Sequence, residues 1–254
     1  MNLKKMMMAS ALLVTACCMQ AQTKVIAHRG FWKTPGSSQN SITALQKADS
    51  IGCYGSEFDV WIAKDNKLIV NHDPVYKMRP MEYSKGDALT GLKLSNGENL
   101  PSLKQYLEAG KKCNTQLILE LKAHSTKKRE TKAVQEILAM VKSMGLESRM
   151  EYITFSLHAM KEFIRLAPAG TPVFYLNGDL SPKELKELGA AGFDYHMGVI
   201  KKHPEWIKEA HDLGLKVNVW TVDEAEDMKW LIENKVDFIT TNEPVVLQEE
   251  LKKF

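Results

Sequence analysis

From Lys24 onward, short apolar runs alternate with amphipathic stretches. The runs at 25–29, 55–62, 116–122, 152–155, 172–176, 193–197, 216–220 and 237–241 are too short for helices and are predicted as strands. Between them, apolar positions recur at helical spacing over 41–51, 128–144, 157–166, 182–188, 204–213, 224–234 and 244–252. Pro204 and Pro244 suit first helical turns, and Gly145, Gly170, Gly192 and Gly214 stand where helices should stop. Strand alternating with helix predicts parallel pairing with the helices outside. Eight such units in a chain of 254 residues predict an α/β fold, a (β/α)8 TIM barrel. The competing architecture is an open doubly wound sheet, but no Gly-rich phosphate fingerprint follows the first strand. Residues 67–70 are expected as an extra strand, paired with the second barrel strand through Asp65-Asn66. Residues 74–100 then form a small irregular insertion after the second strand, followed by a helix near 102–110. One domain, 24–254, is the economical division.

The first 21 residues depart from this pattern. Lys4 and Lys5 precede an apolar run over 6–18 that is too short to span a bilayer comfortably. This is the layout of an export signal. Two processing sites overlap: ordinary cleavage after Ala21, and a lipobox-like Val14-Thr15-Ala16-Cys17 that would leave a lipidated Cys17. The expected product is periplasmic or secreted, with membrane contact only if Cys17 carries lipid. The formal charge of +3 falls to near +1 once Lys4 and Lys5 are removed. No basic stripe suited to nucleic acid remains, and no obligatory protein partner is evident. After ordinary cleavage only Cys53 and Cys113 are left, expected as free buried thiols rather than a bridge.

Residues two apart on a strand share a face. If Phe58, Val60 and Ile62 pack under the helices, Glu57 and Asp59 point into the barrel. By the same parity Leu117, Leu119 and Leu121 face outward, and Ile118, Glu120 and Lys122 inward. His28 and Arg29 end the first strand, and His72 follows the extra hairpin. All of these residues fall at the carboxyl end of the barrel, where such folds build their sites. Three inward carboxylates cannot all stay charged without compensation. Arg29 and Lys122 could neutralise two of them in a structural ion-pair network, or a divalent cation could bind the set. Spacing alone does not choose. Two histidines at the same mouth favour chemistry, because they add an acid/base pair to a cation site and two fixed positive groups.

Ala27-His28-Arg29-Gly30, Glu57-Phe58-Asp59-Val60, His72-Asp73 and Glu120-Leu121-Lys122 together resemble the signatures of glycerophosphodiester phosphodiesterases. Val219-Trp220-Thr221-Val222 and the stretch 237–244 resemble the motifs of that family's seventh and eighth strands. The resemblance implies metal-dependent hydrolysis of small glycerophosphodiesters to glycerol 3-phosphate and an alcohol. It implies one divalent cation, Mg²⁺ or Ca²⁺, on Glu57, Asp59 and Glu120. His28 and His72 would be the general acid and base, Arg29 and Lys122 would hold phosphate oxygens, and Trp220 would wall the glycerol. Two departures stand out. Gln39 replaces an acidic residue in the segment before the first helix, and Asn242 replaces an Asp after the eighth strand. The alternatives are a related phosphodiesterase acting on phosphoinositide or sphingolipid head groups, and a non-catalytic periplasmic phosphate-ester binder. Asn177, His196 and Asn218 are weaker candidates for the mouth, and His124, His158, His203 and His211 read as loop or helix-surface residues.

Overall fold

In the computed structural model, which describes residues 22–254, eight parallel strands close on themselves. In chain order they are Lys24–Ala27, Gly55–Ile62, Gln116–Leu121, Met150–Thr154, Val173–Tyr175, Gly192–His196, Lys216–Trp220 and Phe238–Thr241. The first strand closes the barrel by pairing in parallel with both the second and the eighth. The expected export signal lies outside the described residues. The extra strand, Leu68–Val70, runs antiparallel to the second barrel strand, with Val60 opposite Val70 and Ile62 opposite Leu68.

The pattern of side-chain faces holds as expected. Phe58, Val60, Ile62, Leu117, Leu119 and Leu121 pack outward with Leu45, Leu103, Val134 and Ile137 from the helices. Inside the barrel a separate apolar layer contains Ile26, Ile118, Ile153, Phe174, Leu176 and Phe238. Among the described residues, five helices begin on a hydroxyl cap: Ser41, Ser102, Thr126, Ser156 and Ser181 each accept a backbone N–H from the first turn. Each such cap is worth about 1 kcal/mol. Cys53 and Cys113 are buried and free.

Several elements differ from the expectation. The first strand ends at Ala27, so His28 and Arg29 lie in the turn beyond it. The sixth strand ends at His196, and Met197, expected as its last residue, instead opens a short helix, Met197–Lys202, for which the apolar pattern gives no sign. Pro204 caps the next helix, Glu205–Asp212, from just outside its first turn. The insertion is more ordered than its sequence implied. It carries a two-residue hairpin, Val75–Tyr76 with Arg79–Pro80, and a helix Gly86–Thr90. Its own apolar cluster includes Trp61, Ile69, Met81, Leu89 and Leu100. These pieces are too short to show a period, so only tertiary packing reveals them.

Candidate active site

Strand register assembles the acidic group. Asp59 lies opposite Glu120 on the neighbouring strand, and Glu57 sits two residues earlier on the same face. One oxygen from each of the three residues falls within 4.8 Å of the others. All three are buried, Glu57 and Asp59 to 2% and 1% exposure.

Their surroundings separate them. Lys122 Nζ lies 3.2 Å from Asp59 Oδ1 and 2.7 Å from Glu120 Oε1, and Arg29 Nε lies 3.8 Å from Asp59 Oδ2. Asn40 clamps Asp59 from both sides: its Nδ2 donates to Oδ2 at 2.8 Å and its Oδ1 accepts the Asp59 backbone N–H at 3.1 Å. Burial alone would raise the Asp59 pKa, but Lys122, with His72 and Arg29, outweighs it and holds the group below its ordinary value. Burial, then repulsion from Asp59, pushes Glu120 up to about 7. Burial, then Asp59 and Glu120, pushes Glu57 well above the carboxylate range. Glu57 Oε1 is buried and has no hydrogen-bond partner. An all-oxygen donor set with an unpartnered buried oxygen fits a hard divalent cation.

The turn after the first strand is built to reach this cluster. Arg29 has φ +58°, a left-handed conformation uncommon for a side-chain-bearing residue, and its backbone N–H donates to Glu57 Oε2 at 2.8 Å. Gly30 follows at φ +77°, where a Cβ would meet Ala44 at 2.7 Å. The glycine is therefore required by both conformation and space. Arg29 Nη1 donates to Gln39 Oε1 at 2.7 Å, so the uncharged residue still orients the guanidinium.

The two imidazoles are held differently. His28 Nδ1 lies 2.9 Å from Asn242 Oδ1, which also accepts Trp32 Nε1–H at 3.0 Å. Asp223 fixes that amide by accepting Asn242 Nδ2 and backbone N–H, each at 2.8 Å. The Asn242 oxygen can only accept, so His28 donates from Nδ1 and its Nε2 carries the lone pair. Burial, then Arg29, lowers the His28 pKa to about 4, and the ring is neutral near pH 7. His72 is more exposed. Its Nδ1 lies 2.8 Å from Asp73 Oδ1, and its backbone carbonyl accepts Trp61 Nε1–H at 3.2 Å.

His28, Arg29, Glu57, His72, Glu120, Lys122 and Trp220 all line one cavity of about 120 Å³. Asp59 lies against it through Glu120 and Lys122. Trp220 packs edge-on against Phe155, forming an apolar wall. A larger open basin of about 470 Å³ shares His72 and is bordered by Trp32, Lys33, Asp73 and Tyr76.

Comparison with known proteins then decides the family. A family model described as "Glycerophosphoryl diester phosphodiesterase family" matches residues 28–246. The chain belongs to that family. It is similar to a glycerophosphodiester phosphodiesterase of Caldanaerobacter subterraneus subsp. tengcongensis, 27% identical over 91% of this chain and 99% of the relative. The enzyme of that name from Bacillus altitudinis is 25% identical over 91% and 100%. A solved glycerophosphodiester phosphodiesterase structure from Parabacteroides distasonis is 51% identical, covers 91% of this chain and 98% of its own, and superposes with a TM-score of 0.90. As a member of this family the chain is a phosphoric diester hydrolase.

Sequence reasoning brought the eight candidate residues to the right end of the barrel but missed their supports. Asn40, Trp32 and Asp223 carry no motif that marks them, and Asn242, a departure from the family pattern, holds His28. Asn40 had a signal, since asparagine tolerates the left-handed φ of +60° it adopts here. Of the weaker candidates, Asn218 is buried inside the barrel, bonded to Thr240, while His196 is exposed and caps the short helix. His124 lies in a loop as expected, but half-buried, its Nε2 accepting the Ile62 backbone N–H at 3.0 Å.

Proposed function

We propose that the protein hydrolyses glycerophosphodiesters to glycerol 3-phosphate and an alcohol, with a divalent cation, Mg²⁺ or Ca²⁺, on Glu57, Asp59 and Glu120. The observation that carries this reading is the meeting of three clustered buried carboxylates, Glu57 with an unpartnered oxygen, with two imidazoles at one cavity that Glu57 and Glu120 line. When bound, such a cation neutralises phosphoryl oxygens and the charge that develops on them.

The chain's own residues supply the rest. His28 Nε2, bare and neutral, accepts the proton of the attacking hydroxyl. His72, tethered through Nδ1 to Asp73, delivers a proton to the leaving alkoxide. Arg29, whose Nε is buried without a hydrogen-bond partner, and Lys122 hold the non-bridging phosphate oxygens. Trp220 and Phe155 exclude water along the glycerol. The alcohol portion lies outward, in the basin beyond His72. The attacking hydroxyl is either water or the substrate's own glycerol hydroxyl, and single-turnover product analysis separates these: the glycerol hydroxyl displaces the alcohol to give a cyclic glycerol phosphate that water then opens, whereas direct attack by water forms none.

Export belongs to the same reading and rests on residues 1–21 alone. Mass measurement of the mature protein distinguishes a start at Gln22 from a lipidated Cys17.

The deciding test is an activity matrix of Mg²⁺ and Ca²⁺ against glycerophosphocholine, glycerophosphoethanolamine, glycerophosphoinositol and intact lipids, read as release of glycerol 3-phosphate. Metal-dependent release from the water-soluble diesters is expected. Turnover unaffected by chelation, or confined to intact lipids, would overturn the assignment.

A further inference from the structure

Across the cavity from the acidic cluster, the sixth barrel strand turns Asp194 inward. Its side chain lines the cavity, is 1% exposed, and leaves Oδ1 with no hydrogen-bond partner. Among the described residues no Lys, Arg or His forms an ion pair with it; Lys122 and Arg29 are engaged by Asp59 and Glu120. Asp194 also stands outside the group of carboxylates close enough to share a cation. The Asn218 side chain hydrogen-bonds the carboxyl, yet Oδ1 stays unsatisfied. A buried carboxyl oxygen without a partner is unfavourable in a finished protein interior, and such an atom on a cavity wall is explained by a ligand that completes it.

The neighbouring groups define that ligand. Asn218 lies opposite Asp194 on the next strand and is itself held by Thr240, Nδ2 to Oγ1 at 2.9 Å. Trp220, two residues further along, donates its indole N–H to the Asp194 carbonyl at 2.9 Å, fixing the ring beside the carboxyl. The site therefore offers an aromatic wall and one unsatisfied carboxyl oxygen. That pairing suits a short polyol, with its C–H face on the aromatic ring and a hydroxyl on the carboxyl. Burial, then the charges of Glu120 and Glu151, holds the Asp194 carboxyl well above its usual range. A neutral carboxyl both donates and accepts, which matches a hydroxyl rather than a cation.

We propose that Asp194 binds a free hydroxyl of the substrate's glycerol moiety and so determines the preference for glycerol over alkyl phosphodiesters. This rests on the glycerophosphodiester reading above.

The experiment compares sn-glycerol 3-phosphate with n-propyl phosphate, which lacks both hydroxyls, as competitive inhibitors of the metal-loaded enzyme. Binding is read rather than turnover, so the identity of the nucleophile does not matter. The wild type is expected to bind sn-glycerol 3-phosphate about tenfold or more tighter than n-propyl phosphate, the scale of a buried hydrogen bond. Asp194→Leu should bind the two alike, with n-propyl phosphate unchanged. Asp194→Asn, which still donates and accepts, should keep the preference within about threefold. If the leucine variant does not fold, Asp194→Ala takes its place. A preference undiminished in the Leu or Ala variant overturns the inference while leaving the proposed function standing. So does a tenfold loss of cation affinity by calorimetry in Asp194→Asn, since that assigns the carboxyl to the metal. A wild type that does not bind sn-glycerol 3-phosphate overturns the substrate reading itself. A melting temperature at or above wild type in Asp194→Asn supports a ligand-binding role; a fall of several degrees in the Leu or Ala variant, with the preference intact, assigns Asp194 to the fold instead.

Discussion

At the floor of the barrel Glu151 accepts a hydrogen bond from Tyr54 Oη, and Lys24 Nζ lies 4.4 Å over the Tyr54 ring. At the mouth, Glu57 keeps a buried oxygen with no partner, and so does Asp194. The two regions are one inward face of the same sheet. Glu151 is in register with Ile118, two residues before Glu120. Burial raises the pKa at both ends. What differs is closure. The floor completes its buried acid within the chain, as expected for a group that serves the fold. The mouth concentrates acid that the chain does not complete, and the proposed partners follow from that: a cation at Glu57, Asp59 and Glu120, and a hydroxyl at Asp194.

The sharpest way to break this contrast is Glu57→Gln. It should lower kcat/KM by about a thousandfold or more and abolish the response to added metal, because a ligand is lost. The melting temperature of the metal-free protein should not fall, since a neutral amide replaces a carboxyl whose charged form burial, Asp59 and Glu120 already disfavour. A drop of several degrees would make the mouth resemble the floor. His72→Ala should reduce turnover by about a hundredfold or more. Near-native rates would remove His72 from proton transfer.

A pH titration gives a smaller effect. Glu120, held at about 7, is protonated below that pH in the metal-free protein, and protons then compete with the cation. Apparent metal affinity should therefore rise with pH and weaken by up to about tenfold for each unit below about 7. Calorimetry in two buffers of different ionisation enthalpy checks the accompanying proton release, and a flat profile from pH 5 to 8 would contradict it. Last, Glu151→Ala should cost about 1–3 kcal/mol of stability in denaturant unfolding, by stranding a buried partner. Its kcat/KM should stay within about twofold. A large activity loss there would erase the distinction between the two ends.

The barrel was readable from the sequence because each strand carries its own period-two record of which face is buried. Gly55–Ile62 and Lys216–Trp220 were placed residue for residue. The same record aimed Glu57, Asp59 and Glu120 inward before any contact was known. Elements without a period were lost. The hairpin and short helix of the insertion show no period, and neither does Met197–Lys202, whose first residue the pattern joins to the preceding strand.

Local pattern, then, determined the eightfold alternation, the inward faces and the set of acidic and basic groups at one end. Tertiary structure alone decided how those groups are partnered. His28 takes its tautomer from Asn242, 214 residues away, and that amide is set in turn by Asp223 and Trp32. Asp194 is an inward aspartate by parity, but that its Oδ1 lacks a partner follows only from how every neighbouring side chain is bonded. The physical reason is range: side-chain direction follows from adjacent backbone geometry, whereas hydrogen-bond partners and protonation depend on every group that folding brings within a few ångströms.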